Sequence, residues 1–172
     1  MTNRSRSSSS GAAPAPALEN DSTIEALNLN PTAKAAAHQL KQRFPSVVFT
    51  SGRRDRASQA SAMASNAALN RKWIQQTYVV SEASIACQKW VDQNPNARTK
   101  AAIMPGLLEV LNRFSDEQLS HLSKHLSGDA FDVQPVTQNA AAIKQMLRTL
   151  TQQAGGKFLE REGGLVRWHA QF

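Results

Sequence analysis

Five residues within one ten-residue segment have types and spacings that suit metal chemistry. The segment contains the pattern S-x-H-x-x-G-x-A-x-D, whose specified positions are Ser123, His125, Gly128, Ala130 and Asp132. An imidazole nitrogen and a carboxylate oxygen are both ligands that zinc accepts, at about 2.0–2.2 Å. Gly128 would permit a tight backbone turn between the two ligands. Ala130 would share the face of Asp132 on a strand and leave space beside a metal ion.

A second histidine, near the C-terminus, completes a candidate ligand set. His169 follows Arg167 and Trp168, and we expect it on a strand that pairs beside the strand of Asp132. Three protein ligands are usual for a catalytic zinc, which keeps one position open. Cys87 is the only cysteine, which excludes an internal disulfide and a cysteine-based metal site. By chance, these five residues at these spacings would occur in about one chain in ten thousand among chains of this length. The pattern therefore favours a metal site.

The elements that must position these ligands are predicted to be helices followed by a small sheet. Periodicity, capping residues and prolines predict helices over residues 33–44, 57–76, 81–92, 105–114 and 137–153, with another beginning at Ser115. Branched and aromatic runs predict strands over residues 47–50, 130–133, 157–162 and 165–172. A Gly163-Gly164 turn would join the last two strands. This order indicates an α+β fold whose small antiparallel sheet carries the zinc ligands and packs against several helices.

The N-terminal region differs in composition from the rest. Residues 1–29 are predicted to be a flexible tail, with a serine run at residues 7–10 and a Pro/Ala linker at residues 11–16. Such a stretch buries too little apolar surface to offset its ordering entropy, although a partner could order it. Residues 30–172 are predicted to form one domain. We expect no secretory signal, because the first residues lead into serines, and no membrane span, because no long apolar run occurs.

The formal net charge of +7 favours an acidic partner, such as nucleic acid or an anionic bacterial envelope. Aromatic residues make up only 6% of the chain, which disfavours base stacking. The densest basic run, residues 53–56, is interrupted by an aspartate. Nucleic-acid binding is therefore the less favoured interpretation.

The ten-residue pattern resembles a known family in full. S-x-H-x-x-G-x-A-x-D is the motif of the zinc D-Ala-D-Ala carboxypeptidases and L-Ala-D-Glu endopeptidases, which have the Hedgehog/DD-peptidase fold and act on bacterial cell walls. Residues 50–54 resemble that family's S-G-x-R turn, and Gln59 stands where the family often has a glutamine. Trp168-His169 resembles the W-H pair near the end of the family's sequences. The resemblance covers roughly residues 35–172.

The resemblance implies roles for individual residues. His125, Asp132 and His169 would be the zinc ligands. Arg54 would bind substrate or stabilise charge in the transition state, since a guanidinium matches a carboxylate or an oxyanion. Ser123 and Gln59 would support the site.

One position departs from the family pattern. The family usually has a carboxylate three residues before its last histidine, and that carboxylate takes a proton from the attacking water. Val166 occupies this position and cannot accept a proton. Across a Gly163-Gly164 turn, Glu162 would oppose Leu165 and Glu160 would oppose Arg167, which would place both glutamates on the zinc side. Both glutamates are candidates for the general base that takes the proton of the attacking water. Glu162 is preferred, because Glu160 could instead form an ion pair with Arg167.

The resemblance implies a zinc metallopeptidase that cleaves peptide bonds in peptidoglycan stem peptides. Either D-Ala-D-Ala or L-Ala-D-Glu could be the bond that is cut. The flexible tail and the expected lack of a signal favour a phage lysin or a virion-associated hydrolase, with virion proteins as possible partners of the tail. Val166 supports an alternative, a virion structural or binding protein that keeps the fold but has lost hydrolysis.

Overall fold

The structure, a computed structural model, describes residues 21–172. Its helices are α1 (Ser22–Glu25), α2 (Pro31–Arg43), α3 (Arg56–Leu69), α4 (Trp73–Thr77), α5 (Glu82–Gln93), α6 (Lys100–Leu111), α7 (Asp116–Ser120), α8 (Lys124–Ser127) and α9 (Ala140–Gln153). Its strands are β1 (Phe49–Ser51), β2 (Ala130–Val133), β3 (Lys157–Glu162) and β4 (Leu165–Gln171). The fold is therefore α+β, as the sequence predicts.

The strands form one antiparallel sheet in the order β1-β2-β4-β3. β3 and β4 are joined at Gly163 and Gly164, whose φ angles of 52° and 81° suit a tight hairpin turn and favour glycine. In the β2–β4 pairing, Asp132 lies directly opposite His169. The sheet thus brings together two residues that are far apart in sequence.

The sheet separates two hydrophobic clusters. Phe131 and Trp168, which alternate with the candidate ligands, are buried in a cluster with α1, α2 and α9. Both side chains therefore point away from the candidate ligands. The second cluster is built mainly from α3, α4, α5 and α6 and contains the fully buried Cys87. The ligand residues lie between these clusters, where two packed layers limit their movement.

Two of the predicted helices differ most from those in the structure. The segment predicted as one helix over residues 57–76 is two helices, because Asn70 takes an extended conformation and its side chain donates to the Gly163 carbonyl, 3.1 Å away. α6 begins at Lys100 rather than Pro105, because Thr99 caps it with a 3.2 Å bond from the Ala102 N–H. Pro105 lies inside this helix, where it costs a backbone hydrogen bond but does not end the helix.

The folded region begins earlier than the predicted residue 30. Ile24 is fully buried and Leu29 is buried in the same cluster as the sheet. The Leu27 carbonyl accepts a 2.8 Å bond from the Arg53 N–H. Residues 21–29 are therefore part of the domain and not of a tail, because their apolar side chains complete its core. The serine run and the Pro/Ala linker lie outside the described residues.

Candidate metal centre

His125, Asp132 and His169 come together from three elements. Ser123 caps α8 by accepting from the His125 N–H, and Gly128 ends this four-residue helix in a left-handed conformation with φ of 82°. The chain then enters β2 at once, which places Asp132 close to His125. His169 arrives from β4, opposite Asp132. The glycine between the ligands thus has the turn-forming role that the sequence predicts.

The three side chains converge on one point. Asp132 Oδ1 lies 2.9 Å from His169 Nδ1 and 3.3 Å from His125 Nε2, and the two ring nitrogens are 3.2 Å apart. In a tetrahedral zinc site with metal–ligand bonds of about 2.0–2.1 Å, neighbouring ligand atoms are about 3.3 Å apart. The triangle formed by these atoms is therefore close to one face of such a tetrahedron. The group could bind a metal ion.

Two further contacts aim the ligand atoms. His125 Nδ1 lies 2.7 Å from the Gly52 carbonyl oxygen, to which it donates, so that the lone pair of Nε2 faces the other ligands. Arg54 donates to Asp132 Oδ2 at 2.7 Å, which leaves Oδ1 at the centre of the group. Gly52 itself has no room for a side chain, because a Cβ would lie 2.4 Å from the Leu27 carbonyl oxygen. The ligands are thus oriented before any ion binds.

The protonation equilibria of the three side chains are coupled. Burial tends to raise the pKa of Asp132, but its close contacts with His125 and His169 outweigh burial and hold that pKa well below its ordinary value. Burial lowers the pKa of His125. Burial also acts to lower the pKa of His169, but the hydrogen bond to Asp132 and the charge of Glu162 raise it overall. A metal cation would compete with protons for these same atoms.

Arg54 is brought to the site, as predicted, and makes three contacts there. It donates to Ser51 Oγ at 2.8 Å and to Gln59 Oε1 at 3.4 Å, besides its 2.7 Å bond to Asp132. Only 16% of its side chain is exposed. Arg54 is therefore a fixed part of the site and not a surface arginine.

The two candidate glutamates lie on different sides of the sheet. Glu162 lines a cavity of about 330 Å³ together with the three ligand residues. Glu160 instead forms ion pairs with Lys144, at 2.8 Å, and with Arg148, both on α9. The β3–β4 register shifts between Leu159 and Arg161, which breaks the simple alternation of sides. The expectations that Glu160 lies on the metal side and opposes Arg167 are therefore wrong.

A second, larger cavity adjoins the first. It has a volume of about 890 Å³ and lies between α3 and the ends of β1, β2 and β4. Four residues line both cavities: Arg54, Asn66, Asp132 and Arg167. Val166, three residues before His169, is 45% exposed and lines only the larger cavity. The candidate metal centre thus lines one cavity and shares wall residues with a second.

The contacts of two residues in the cavity walls, Arg167 and Tyr78, are not predicted from the sequence. The sequence suggests Arg167 only as a partner of Glu160, but Arg167 donates to Asn66 Oδ1 at 2.7 Å. Tyr78, the only tyrosine, lines the smaller cavity and accepts a 2.8 Å bond from Gln59 Nε2. Arg167 shares the face of His169 by alternation along the strand, which indicates its side of the sheet but not its contact with Asn66. Tyr78 belongs to no local motif, so no signal in the sequence indicates its place in the site.

Comparison with known proteins adds no assignment. No family model, curated protein or solved structure matches the chain. The case for a function therefore depends on the chemistry of the site. Two imidazoles and one carboxylate beside a cavity suit a hydrolytic metal ion that keeps a position for water or substrate.

Proposed function

We propose that the protein is a zinc-dependent peptidase that hydrolyses peptide bonds in peptidoglycan stem peptides. The observation that carries the proposal is the convergence of His125, Asp132 and His169 at 2.9–3.3 Å beside a cavity. The S-x-H-x-x-G-x-A-x-D pattern, which resembles that of zinc cell-wall peptidases, supplies the substrate class.

The ligand set favours zinc over the hard divalent cations. Calcium and magnesium prefer oxygen ligands, whereas two imidazole nitrogens and one carboxylate are a common set for catalytic zinc. Ligand softness alone does not separate zinc from neighbouring transition metals, but the near-tetrahedral spacing of the three atoms favours it.

The residues around the ligands can divide the work of hydrolysis. Zinc, when bound, would polarise the scissile carbonyl and lower the pKa of water to about 7. Glu162 would take the proton of the attacking water and pass it to the leaving amine. Arg54, held by Ser51 and Asp132, would direct its guanidinium towards a substrate carboxylate or the developing oxyanion.

The charges around the two cavities support an anionic substrate. Four cationic residues line them and have no carboxylate within 4.0 Å among residues 21–172: Lys100, Lys124, Lys157 and Arg167. Among the same residues, the only acidic ones on these walls are Asp132, which is paired with Arg54, and Glu162. Stem peptides carry free carboxylates, which this excess of positive charge would attract.

A second candidate function is favoured by Val166. A protein that binds stem peptides through the same cavities, with the metal in place but without hydrolysis, would have no need of the carboxylate that the family usually has at this position. As the resemblance implies, both functions fit a phage lysin or a virion-associated protein.

Hydrolysis of purified peptidoglycan distinguishes the two functions. The zinc-loaded protein should release new amino or carboxyl termini, identified by mass spectrometry, and a chelator should abolish the release. His125→Ala should be inactive, whereas His38→Gln should retain activity, because His38 lies on α2 and contacts Glu25 rather than the ligands. Binding without any release of termini would reject the peptidase and favour the second candidate.

A further inference from the structure

Tyr78 is held in the wall of the metal cavity by a directed chain of hydrogen bonds. Arg54 donates to Gln59 Oε1 at 3.4 Å, and Gln59 Nε2 donates to Tyr78 Oη at 2.8 Å. Gln59 is fully buried, on α3, and Tyr78 follows directly after α4. The chain runs from the metal ligand Asp132, through Arg54, to the phenol.

The direction of this chain is fixed by chemistry. A guanidinium can only donate, so Gln59 must turn its carbonyl oxygen towards Arg54 and its amino group towards Tyr78. The phenol oxygen therefore accepts a hydrogen bond from Gln59. No hydrogen bond donated by the phenol itself occurs among residues 21–172, and Tyr78 lines the same cavity as the three ligand residues.

We infer that Tyr78 is a catalytic residue that donates a hydrogen bond to the oxygen that gains negative charge when water adds to the scissile carbonyl. The phenol proton stays on Tyr78 throughout, so the step transfers no charge to it. A donor aimed at developing charge in a site with little water is among the most effective catalytic devices. Burial raises the pKa of Tyr78 above its ordinary value, which keeps the phenol protonated at neutral pH.

This inference rests on the proposed function, because it assigns Tyr78 a part in the same hydrolysis. It also accounts for Gln59, which the sequence places only among supporting residues. Gln59 would be a positioning residue, since it does not line either cavity but sets the direction in which the phenol donates. Arg54 would then act both on Asp132 and, through Gln59, on Tyr78.

The test uses a zinc-loaded full-length protein and a dipeptide phosphinate, a tetrahedral mimic of the addition product that cannot be hydrolysed. Calorimetry would compare its affinity with that of the corresponding planar dipeptide. Tyr78→Phe removes only the hydroxyl, and it should weaken phosphinate binding by roughly tenfold to a hundredfold. It should leave dipeptide binding, zinc content and KM unchanged, while kcat falls by roughly a hundredfold.

Gln59→Glu provides a second, independent variant. A carboxylate in place of the amide would accept the phenol hydrogen and draw it away from the cavity, although the hydroxyl is still present. Phosphinate affinity should then fall as in Tyr78→Phe. Wild-type phosphinate affinity in both variants would overturn the inference, as would a failure of the zinc-loaded wild type to bind the phosphinate. Phosphinate binding that depends on Tyr78, without hydrolysis of stem peptides, would instead reject the proposed substrate alone.

Discussion

At the scale of single residues, the site depends on side chains whose polar atoms are held in fixed directions by hydrogen bonds. His125 Nε2 faces the other ligands because Nδ1 is bound to the Gly52 carbonyl, and Asp132 Oδ1 faces them because Arg54 holds Oδ2. Such contacts behind the ligands fix ring tautomers and raise metal affinity. The chemistry therefore requires several residues besides the three that would touch a metal.

The two glutamates of the β3–β4 hairpin should respond differently to the same substitution. Glu162→Gln removes the proposed proton acceptor and should lower kcat by about 10²–10⁴, with little change in zinc content. Glu160→Gln should retain activity, because Glu160 pairs with Lys144 and Arg148 on α9. Its exposed ion pairs should contribute at most about 1 kcal/mol to stability.

Steady-state kinetics on a stem-peptide substrate, with zinc content measured on the same samples, would check this pair. Full activity in Glu162→Gln would remove Glu162 as the base. A large loss of activity in Glu160→Gln would contradict the side of the sheet assigned to it.

The ligand residues can be predicted from the sequence because their signals are local. The pattern around His125 and Asp132 lies within ten residues, and Trp168-His169 is a short ending of its own. The contact of Gly52 with His125 and that of Gln59 with Tyr78 cannot be predicted in this way. They join residues 73 and 19 positions apart, and only tertiary packing brings them together.

At the scale of elements, α8 and β2 are coupled through one glycine. Gly128 has φ of 82°, and a Cβ there would lie 2.6 Å from Arg53 Nε. Arg53 cannot move freely, since it donates to Asn30 Oδ1 and to the Ser127 carbonyl, each at 2.7 Å. The spacing of His125 and Asp132 therefore depends on this turn.

Gly128→Ala should destabilise the protein and weaken zinc binding. The left-handed backbone alone costs about 1–2 kcal/mol for a residue with a Cβ. Gly155→Ala is the matched control, because Gly155 has φ of 73° but a Cβ there would have no neighbour within 4 Å among residues 21–172. Denaturant unfolding should show a larger loss of free energy of unfolding for Gly128→Ala. Equal losses in the two variants, with zinc affinity intact, would argue against the coupling.

The sequence predicts element types better than element boundaries. Two strand-like runs joined by the Gly163-Gly164 turn predict the β3–β4 hairpin, because both signals are local. Pro105 suggests a helix start, but the Thr99 cap moves that start to Lys100. The register shift between Leu159 and Arg161 carries no local signal in the sequence, which is why the predicted side of Glu160 is wrong.

At the scale of the whole molecule, charge and stability can both be tested. The net charge of +7 and the cations that line the cavities should attract an anionic substrate. Because the Debye length is about 8 Å at 0.15 M salt and shorter at higher salt, KM should rise as salt is added. Kinetics in increasing sodium chloride, with an uncharged amidated peptide as control, would measure this. A KM independent of salt for both peptides would contradict the assigned role of charge.

Cys87 offers a probe of global stability. It is fully buried, and burial raises the pKa of its thiol to about 12. A thiol that is shielded and protonated should react with Ellman's reagent only when the chain unfolds. The reaction should therefore be slow in native buffer and fast in denaturant. Saturating zinc should slow it further, because an ion bound only by the folded state stabilises it. Rapid labelling of the native protein would contradict the buried position.

None of the helices formed by residues 21–172 is long and apolar enough to cross a membrane.

The two adjoining cavities, the metal centre and the excess of cations all occur together between α3, α8 and the sheet. This common location is what a single site for an extended anionic peptide requires.

Zinc binding by the His125, Asp132 and His169 group is the central claim, and metal analysis tests it most directly. The protein should be stripped with a chelator, incubated with zinc, desalted and analysed by mass spectrometry of the metal. We expect one zinc ion per chain in the wild type and in His38→Gln, and almost none in His125→Ala or His169→Ala. A wild type without zinc, or ligand variants that retain it fully, would contradict the account.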